Sequence, residues 1–470
     1  MRVLVLSTYE LGHQPIGLAT AAGLLRRAEH EVRTCDLSID QLADADLAWA
    51  EAVVVSVPMH TALRLALAAV ERIRRQSPKL PIALIGLYAH VASGSDLLRG
   101  GDLLATGEFA PHLLSWLAEG TRPVEAGPRI VTDLGPPRTR PLPVDRSGLA
   151  ELGRYAYLVS AEGSKKAAYV ETTRGCSHLC RHCPVPVVYR GRTRVVDLEA
   201  VLDDIGQQVA MGARHLTFGD PDFLNRPEHA QRVVRSLHAT WPDLTFDVTV
   251  KVEHILRHER LWAELATAGC LFVVSAVESV DDEVLEHLDK GHTTVDTVRA
   301  IGVLRSCGIE FRPSLLPFTP WTTLEGFAEL VSFVAAHDLV ESVDPVQYGI
   351  RLLLPPGSLL LKTPDPVLAA SLSGYDAAAL TWTWRSADQR VDRLQAEVAA
   401  LTEAAASNGE PCRRTYRDVR RAAFAALGRD DPSPPAVDTD DNEPPVRPHL
   451  SEPWFCCAEP TNYQLAAVNR

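Results

Sequence analysis

Cys176, Cys180 and Cys183 stand in the stretch Thr173-Arg174-Gly175-Cys176-Ser177-His178-Leu179-Cys180-Arg181-His182-Cys183, spaced C-x-x-x-C-x-x-C. Thiolates are soft ligands, and three on one short loop suit three corners of a [4Fe–4S] cube. A ferredoxin-type carrier closes all four corners with cysteine. Here the loop supplies no fourth, so one iron is left open to bind and reduce a small molecule. The alternative is a structural zinc ion with His178 or His182 as its fourth donor.

Three other groups of residues could do chemistry. Phe218-Gly219-Asp220-Pro221-Asp222-Phe223-Leu224-Asn225 follows a short apolar run, and by itself reads as an Asp-Pro turn. Ala276-Val277-Glu278-Ser279 precedes Lys290-Gly291; Glu278 alone reads as a solvated strand end. Cys456 and Cys457 are adjacent near the carboxyl end, where a thiol pair has little packing reason to exist.

The elements that must position these groups alternate. In residues 1–120 strands are expected at Val3–Ser7, Glu31–Cys35, Ala52–Val57, Ile82–Gly86 and Leu103–Gly107, with helices at Ile16–Arg27 and Thr61–Arg75. That alternation predicts an α/β, Rossmann-like domain of flavodoxin type: an open parallel sheet whose ligands sit at the carboxyl ends of its strands. Residues 121–164 are rich in Pro, Gly and Arg and read as a linker. Over 165–362 six strands are expected (Tyr169–Thr172, His215–Phe218, Phe246–Val250, Leu271–Ala276, Glu310–Leu315, Val346–Leu353), with helices at Leu198–Met211, Pro227–Thr240, Arg257–Ala268, Thr294–Cys307 and Leu324–Ala336. Six such units make a partial (β/α)6 barrel with the cysteine loop after its first strand, where barrel sites gather. A helical region over 363–428 and a flexible, acidic, Pro-rich tail over 429–470 complete the chain.

The 470 residues are 46% hydrophobic and 23% charged, with a net charge of −13. That balance offers no basic footprint for a nucleic-acid backbone. No apolar run reaches the ~18 residues of a membrane span, so no membrane partner is expected. Nine irregularly spaced cysteines and no export signal point to a reduced, cytoplasmic chain.

The order of these motifs resembles the radical S-adenosylmethionine superfamily, whose signature is C-x-x-x-C-x-φ-C with an aromatic at φ, here His182. The Phe218–Asn225 stretch resembles the F-x-D-D-x-F-x-x-N form of cobalamin-binding members, and Ala276–Ser279 with Lys290-Gly291 resembles a G-x-E-S…K-G segment. The resemblance implies that Cys176, Cys180 and Cys183 hold the [4Fe–4S] cluster. It implies that Gly219, Asp220 and Asp222 form the turn that receives the amino group of S-adenosylmethionine, with Asp220 as acceptor, that Glu278 holds ribose hydroxyls, and that His182 lies near the adenine. Reductive cleavage of S-adenosylmethionine would then give a radical held against one substrate hydrogen. An external donor of ferredoxin or flavodoxin type and a small-molecule or peptide substrate are the implied partners.

The amino-terminal domain resembles the cobalamin-binding domain that precedes many such enzymes. Gln14-Pro15-Ile16-Gly17-Leu18 matches a helix start of those proteins, and Ser56, Thr61, Gly86 and Gly107 fall at the matching strand ends. The D-x-H-x-x-G axial-ligand motif is absent; Glu10-Leu11-Gly12-His13 stands there instead. A domain that keeps the fold without the corrin is the other reading. Cys456-Cys457-Ala458-Glu459-Pro460 resembles the CUAEP/CCAEP-tail subgroup, in its all-cysteine form, and implies a working dithiol: a redox relay, an auxiliary cluster with Cys412, or a tethered acceptor. Three functions stand open: radical carbon functionalisation, with cobalamin-assisted methyl transfer as its most specific form; corrin-free hydrogen abstraction, as in peptide modification; and a non-enzymatic iron–sulfur carrier or sensor.

Overall fold

Short apolar runs separated by helices build two parallel sheets. The computed structural model describes residues 1–119, 127–135, 143–432, 446–452, 459–461 and 464–465. In the first sheet β1 (Arg2–Ser7), β2 (Glu31–Asp36), β3 (Ala52–Ser56), β4 (Ile82–Ile85), β5 (Leu103–Gly107) and β6 (Arg129–Asp133) lie in the order β2-β1-β3-β4-β5-β6. Every neighbouring pair is parallel. β3 and β4 are buried along their whole length, because helices cover both faces. Ile16–Arg27 and Ala110–Ala118 pack on one side, and His60–Gln76 on the other. The strand order turns between β1 and β3, and a ligand crevice is expected outside their carboxyl ends. β6 falls inside the stretch read as a linker.

The second sheet begins with β7 (Tyr157–Ser160) and β8 (Gly163–Val170). A small hairpin, β9 (Thr173–Gly175) with β10 (Thr193–Val195), brackets the cysteine loop. β11 (His215–Phe218), β12 (Thr245–Thr249), β13 (Cys270–Glu278) and β14 (Glu310–Leu315) follow, and β8, β11, β12, β13 and β14 pair in parallel. Their outward side chains bury a core around Phe218, Phe246, Phe311, Trp262 and Phe327.

Two expectations need correction. The sixth barrel strand, Val346–Leu353, is a 3-10 turn at Pro345–Gly349 followed by a single parallel bridge between Phe318 and Arg351. Pro345 has no N–H for a ladder, and the Gln347 side chain accepts from Leu315 N (2.9 Å), standing in for a strand neighbour. The region 363–428 is not wholly helical: β15 (Leu372–Asp376) and β16 (Thr381–Trp384) form an antiparallel hairpin before the helices Gln389–Asn408 and Cys412–Leu427.

Part of the segment read as a flexible tail is also ordered. β17 (His449–Leu450) pairs antiparallel with β7 and completes the order β14-β13-β12-β11-β8-β7-β17. Arg447 anchors it to Glu310 (2.8 Å) and Asp338 (2.5 Å).

The two sheets are locked together. The Arg146 guanidinium, 2% exposed, donates to Asp204 (2.6 and 2.9 Å), to Gln14 Oε1 (2.8 Å) and to the Tyr169 carbonyl (2.8 Å).

Candidate active site

The cysteine loop leaves β8, and its first residues are held by side chains from the turn after the next strand. Asp220 accepts from Thr172 N (2.7 Å), Thr172 Oγ1 (2.6 Å) and Thr173 Oγ1 (2.6 Å). Burial pushes its carboxyl up to about 7, against those three bonds. Asn225 Oδ1 accepts from Ser177 N (3.0 Å), Ser177 Oγ (2.6 Å) and the Cys176 thiol (3.7 Å). Gly175 has φ +76°, and a Cβ there would strike the Tyr189 ring and the Arg192 carbonyl. Gly219 lies so close to the Tyr169 ring that no side chain fits.

Cys176 and Cys180 are buried, Cys183 is partly exposed, and none is in a disulfide. Burial pushes the Cys176 and Cys183 thiols up. Thiolates here therefore require a positive partner, which iron supplies on binding. A protein cation is also in place: burial opposes the charge of Lys290, but Glu278, Cys180 and Cys183 hold it charged. The zinc reading fails on geometry. Among the described residues the one set of three donors whose atoms all lie within 4.8 Å of one another is His178, Asp222 and His254, without the cysteines. His178 faces Asp222 and Glu253, and His182 faces Glu278, so neither completes a shell around the thiols.

Glu278 has φ +66°, in the left-handed region, at a register shift between β13 and β14. Its Oε1 is 3.1 Å from Lys290 Nζ and 3.3 Å from His182 Nε2. Burial would raise this carboxyl, but Lys290 and His182 outweigh it and hold it at about 2. Glu278 is thus a buried ion-pair centre, not a solvated strand end. Asp222 is fully buried; its Oδ1 caps Leu224 N (3.0 Å) and its Oδ2 faces His254 Nδ1 (2.9 Å).

Polar atoms without partners surround the loop. His182 Nδ1, both ring nitrogens of His292 and Asn225 Nδ2 are buried with no hydrogen-bond partner. Buried polar groups are nearly always satisfied, so these orphans mark a place for a polar ligand beside three free thiols. A three-cysteine cluster and its ligand fit.

The carboxyl edge of the first sheet meets this loop. Arg174 pairs with Glu171 (2.9 Å) and with Glu108 (3.1 Å), the residue after β5, and Tyr189 Oη donates to Glu108 (3.2 Å). Ser56 Oγ donates to Glu10 Oε1 (3.5 Å), and Glu10 also accepts from Ile16 N (2.9 Å) and Gly17 N (3.3 Å). Thr61 is buried in the first turn of His60–Gln76. Gly86 (φ +115°) and Gly107 (φ +82°) make backbone turns that crowd the Val57 and Asp133 carbonyls. Ser7 Oγ is buried at this edge without a hydrogen-bond partner, which leaves a polar atom for a ligand, while His60 Nδ1 faces Glu459 Oε1 (3.7 Å). His13 is buried, and its ring packs on Tyr169 at 4.7 Å.

Arg312, Trp321, Gln347, Tyr348 and Arg351, polar or aromatic residues on or after β14, all meet partners outside the cysteine loop. Arg312 pairs with Asp344 (2.8 Å), Trp321 stacks on His287 (4.4 Å), and Gln347 closes β14. Tyr348 faces Tyr416 (6.1 Å), and Arg351 lies over Trp384 at 3.5 Å. Cys412 starts a helix beside Glu341 and Asp344, and burial raises its thiol to about 11. Cys456 and Cys457 lie outside the described residues. Sequence reasoning gave no role to Lys290, Asn225, Arg174 or Glu108. His254 was missed because the helix Val252–Arg257 precedes the one expected at Arg257.

Residues 170–334 match the family described as the Radical SAM superfamily. The chain is 25% identical over 325 residues to the hopanoid C-3 methylase of Methylococcus capsulatus, covering 66% of this chain and 62% of that protein. It thus spans less than two thirds of that relative. Among solved structures, the cobalamin-dependent radical enzyme OxsB with aqua-cobalamin bound superposes with a TM-score of 0.63 at 15% identity, over 87% of this chain and 67% of that one. The methyltransferase TsrM from Kitasatospora setae, with cobalamin and a [4Fe–4S] cluster bound, gives 0.62 at 16% identity, over 90% and 99%. These two likenesses show a shared fold, a parallel-sheet domain joined to a curled sheet. The three free thiols on the loop after β8 fall inside the stretch, residues 170–334, that matches the Radical SAM superfamily.

Proposed function

We propose that this chain is a cobalamin-assisted radical SAM methyltransferase acting on an unreactive carbon of a small molecule. One observation carries the reading: the cysteine loop is docked, through Arg174 and Tyr189 on Glu108, against the carboxyl edge of a six-stranded parallel sheet. Cluster loop and ligand crevice therefore share one space. The named methylase relative and the shared fold support it.

When bound, the cluster supplies the electron that cleaves S-adenosylmethionine and the corrin supplies the methyl carrier. The protein's part is placement. Cys176, Cys180 and Cys183 would hold three irons, and Lys290 would offset their negative charge. Glu278 fixes Lys290 and His182, leaving His182 Nδ1 for the nucleoside. Gly219 and Asp222 shape the turn beside the loop. Asp220 accepts from Thr172 and Thr173 and so holds the entry of the loop, in the turn that would receive the amino group. The carboxyl ends of β1, β3, β4 and β5, with Ser56, Thr61, Gly86 and Gly107, would hold the corrin. Cys456 and Cys457 are assigned a redox role on the CCAEP-tail resemblance. The described residues Glu452 and Glu459 lie at that same sheet edge, where Tyr9 donates to Glu452 (3.0 Å) and Arg64 pairs with Glu459.

The test is anaerobic reconstitution with iron, sulfide and cobalamin, then S-adenosylmethionine and a low-potential reductant. Formation of 5′-deoxyadenosine, with retained cobalamin, is expected. Its absence from a cluster-loaded protein would overturn the reading. The products with cobalamin withheld distinguish methyl transfer from corrin-free abstraction.

A further inference from the structure

Beside the cysteine loop lies a second set of ligating atoms that the radical chemistry does not use. His178 comes from the loop itself, Asp222 from the turn after β11, and His254 from the short helix after β12. His178 Nε2 is 3.7 Å from Asp222 Oδ2, and His254 Nδ1 is 2.9 Å from the same oxygen. The three atoms lie within 4.8 Å of one another. Two donors at ~2.1 Å from a tetrahedral ion stand about 3.4 Å apart, a spacing these distances bracket.

The second observation concerns hydrogen bonding. His178 Nε2 and His254 Nδ1 are buried with no hydrogen-bond partner. His254 is 4% exposed and Asp222 is fully buried. His254 Nδ1 reaches the carboxylate yet lacks the alignment of a hydrogen bond, as expected of lone pairs that converge on a common point rather than on each other. The rings are 4.6 Å apart and inclined at 56°, not stacked. A supporting carboxylate is present too: Glu253 Oε2 is 3.7 Å from His178 Nδ1, the nitrogen turned away from Asp222. Metal-bound histidines regularly face such a carboxylate with their other nitrogen. Lys251 (3.8 Å) and Arg257 both pair with Glu253, and the Lys251 N–H also reaches Asp222 Oδ2 (3.4 Å).

We propose that His178, Asp222 and His254 bind one mononuclear divalent cation, Zn2+ or Fe2+, distinct from the cysteine-bound cluster. Two imidazoles and one carboxylate suit those ions rather than Mg2+ or Ca2+. The ion would staple the cysteine loop to the ends of β11 and β12. The inference stands whether or not the chain transfers methyl groups.

The experiment titrates Co2+ into full-length, cluster-loaded protein under anaerobic conditions. One equivalent per chain with visible ligand-field bands and no sulfur-to-cobalt charge transfer is expected, and Zn2+ should compete for it. His254→Gln should weaken binding more than about 100-fold, and Glu253→Gln about 10-fold, since outer-shell carboxylates contribute 10–100-fold. Zn2+ should raise the melting temperature of the unaltered protein and leave that of His254→Gln unchanged. Sulfur charge-transfer bands, no stoichiometric uptake, or unchanged affinity in His254→Gln would each overturn the proposal.

Discussion

The two parallel sheets use their faces differently. In the first, β1, β3 and β4 are apolar and buried on both sides, so polar groups appear only where the strands end. In the second, the strands alternate. On β11, Leu216 and Phe218 pack against helices, while His215 and Thr217 point the other way and meet Asp247 at 2.9 and 2.7 Å. A sheet covered on both faces can do chemistry only at its edge. A curled sheet has an inner face, and its polar residues and loops share one enclosed space. The cysteine loop stands where that inner face opens onto the other sheet's edge.

The sharpest way to break this contrast is to remove the cluster. Cys180→Ala should reduce cluster iron to background and abolish cleavage of S-adenosylmethionine while leaving the far-ultraviolet circular dichroism unchanged. A fold that depended on the cluster would lose both. Arg146→Met tests the lock between the sheets. It leaves Asp204 buried without its cation and should cost about 3–5 kcal/mol in denaturant unfolding. Two separate transitions in place of one would show that the halves had come apart.

Lys290→Met acts inside the second sheet only. It should make the cluster harder to reduce, seen as a more negative midpoint in a potentiometric titration, because a cation beside the thiolates has gone. Glu10→Gln acts at the edge of the first sheet. Burial raises the Glu10 carboxyl to about 8, with Glu171 adding to the effect. Its folded pKa lies above the unfolded value, so the folded chain holds the extra proton. Stability is therefore full below pH ~4.5 and falls as pH rises towards about 8. The variant should flatten that fall in melting temperature between pH 5 and 8.

Much of this was legible in the residues. β1, β3, β5, β11 and β14 show as apolar or alternating runs between turn residues, and the three cysteines announce their own loop. Val346–Leu353 misled because its apolar alternation fits a strand, while the Gln347 side chain takes the place that a strand would fill. β6 was hidden by the Pro- and Gly-rich residues around it. Lys290 and Asn225 were visible only as letters in motifs, because pairing with Glu278 and Ser177 depends on a turn at φ +66° and a 3-10 segment that no periodicity encodes. Arg174 and Glu108 lie 66 positions apart, and only the docking of two sheets brings them together.

Arg146 has one further consequence. Its guanidinium is shared by a loop of the amino-terminal half, by β8 of the curled sheet and by the helix Leu198–Ala210, and hardly any solvent reaches it. The curled sheet expressed alone would strand Asp204 or expose a cation meant for the interior, so neither half is expected to fold autonomously. An opening that admits a bulky substrate is expected away from this lock, at the other edge of the curled sheet, where β14 is the last strand.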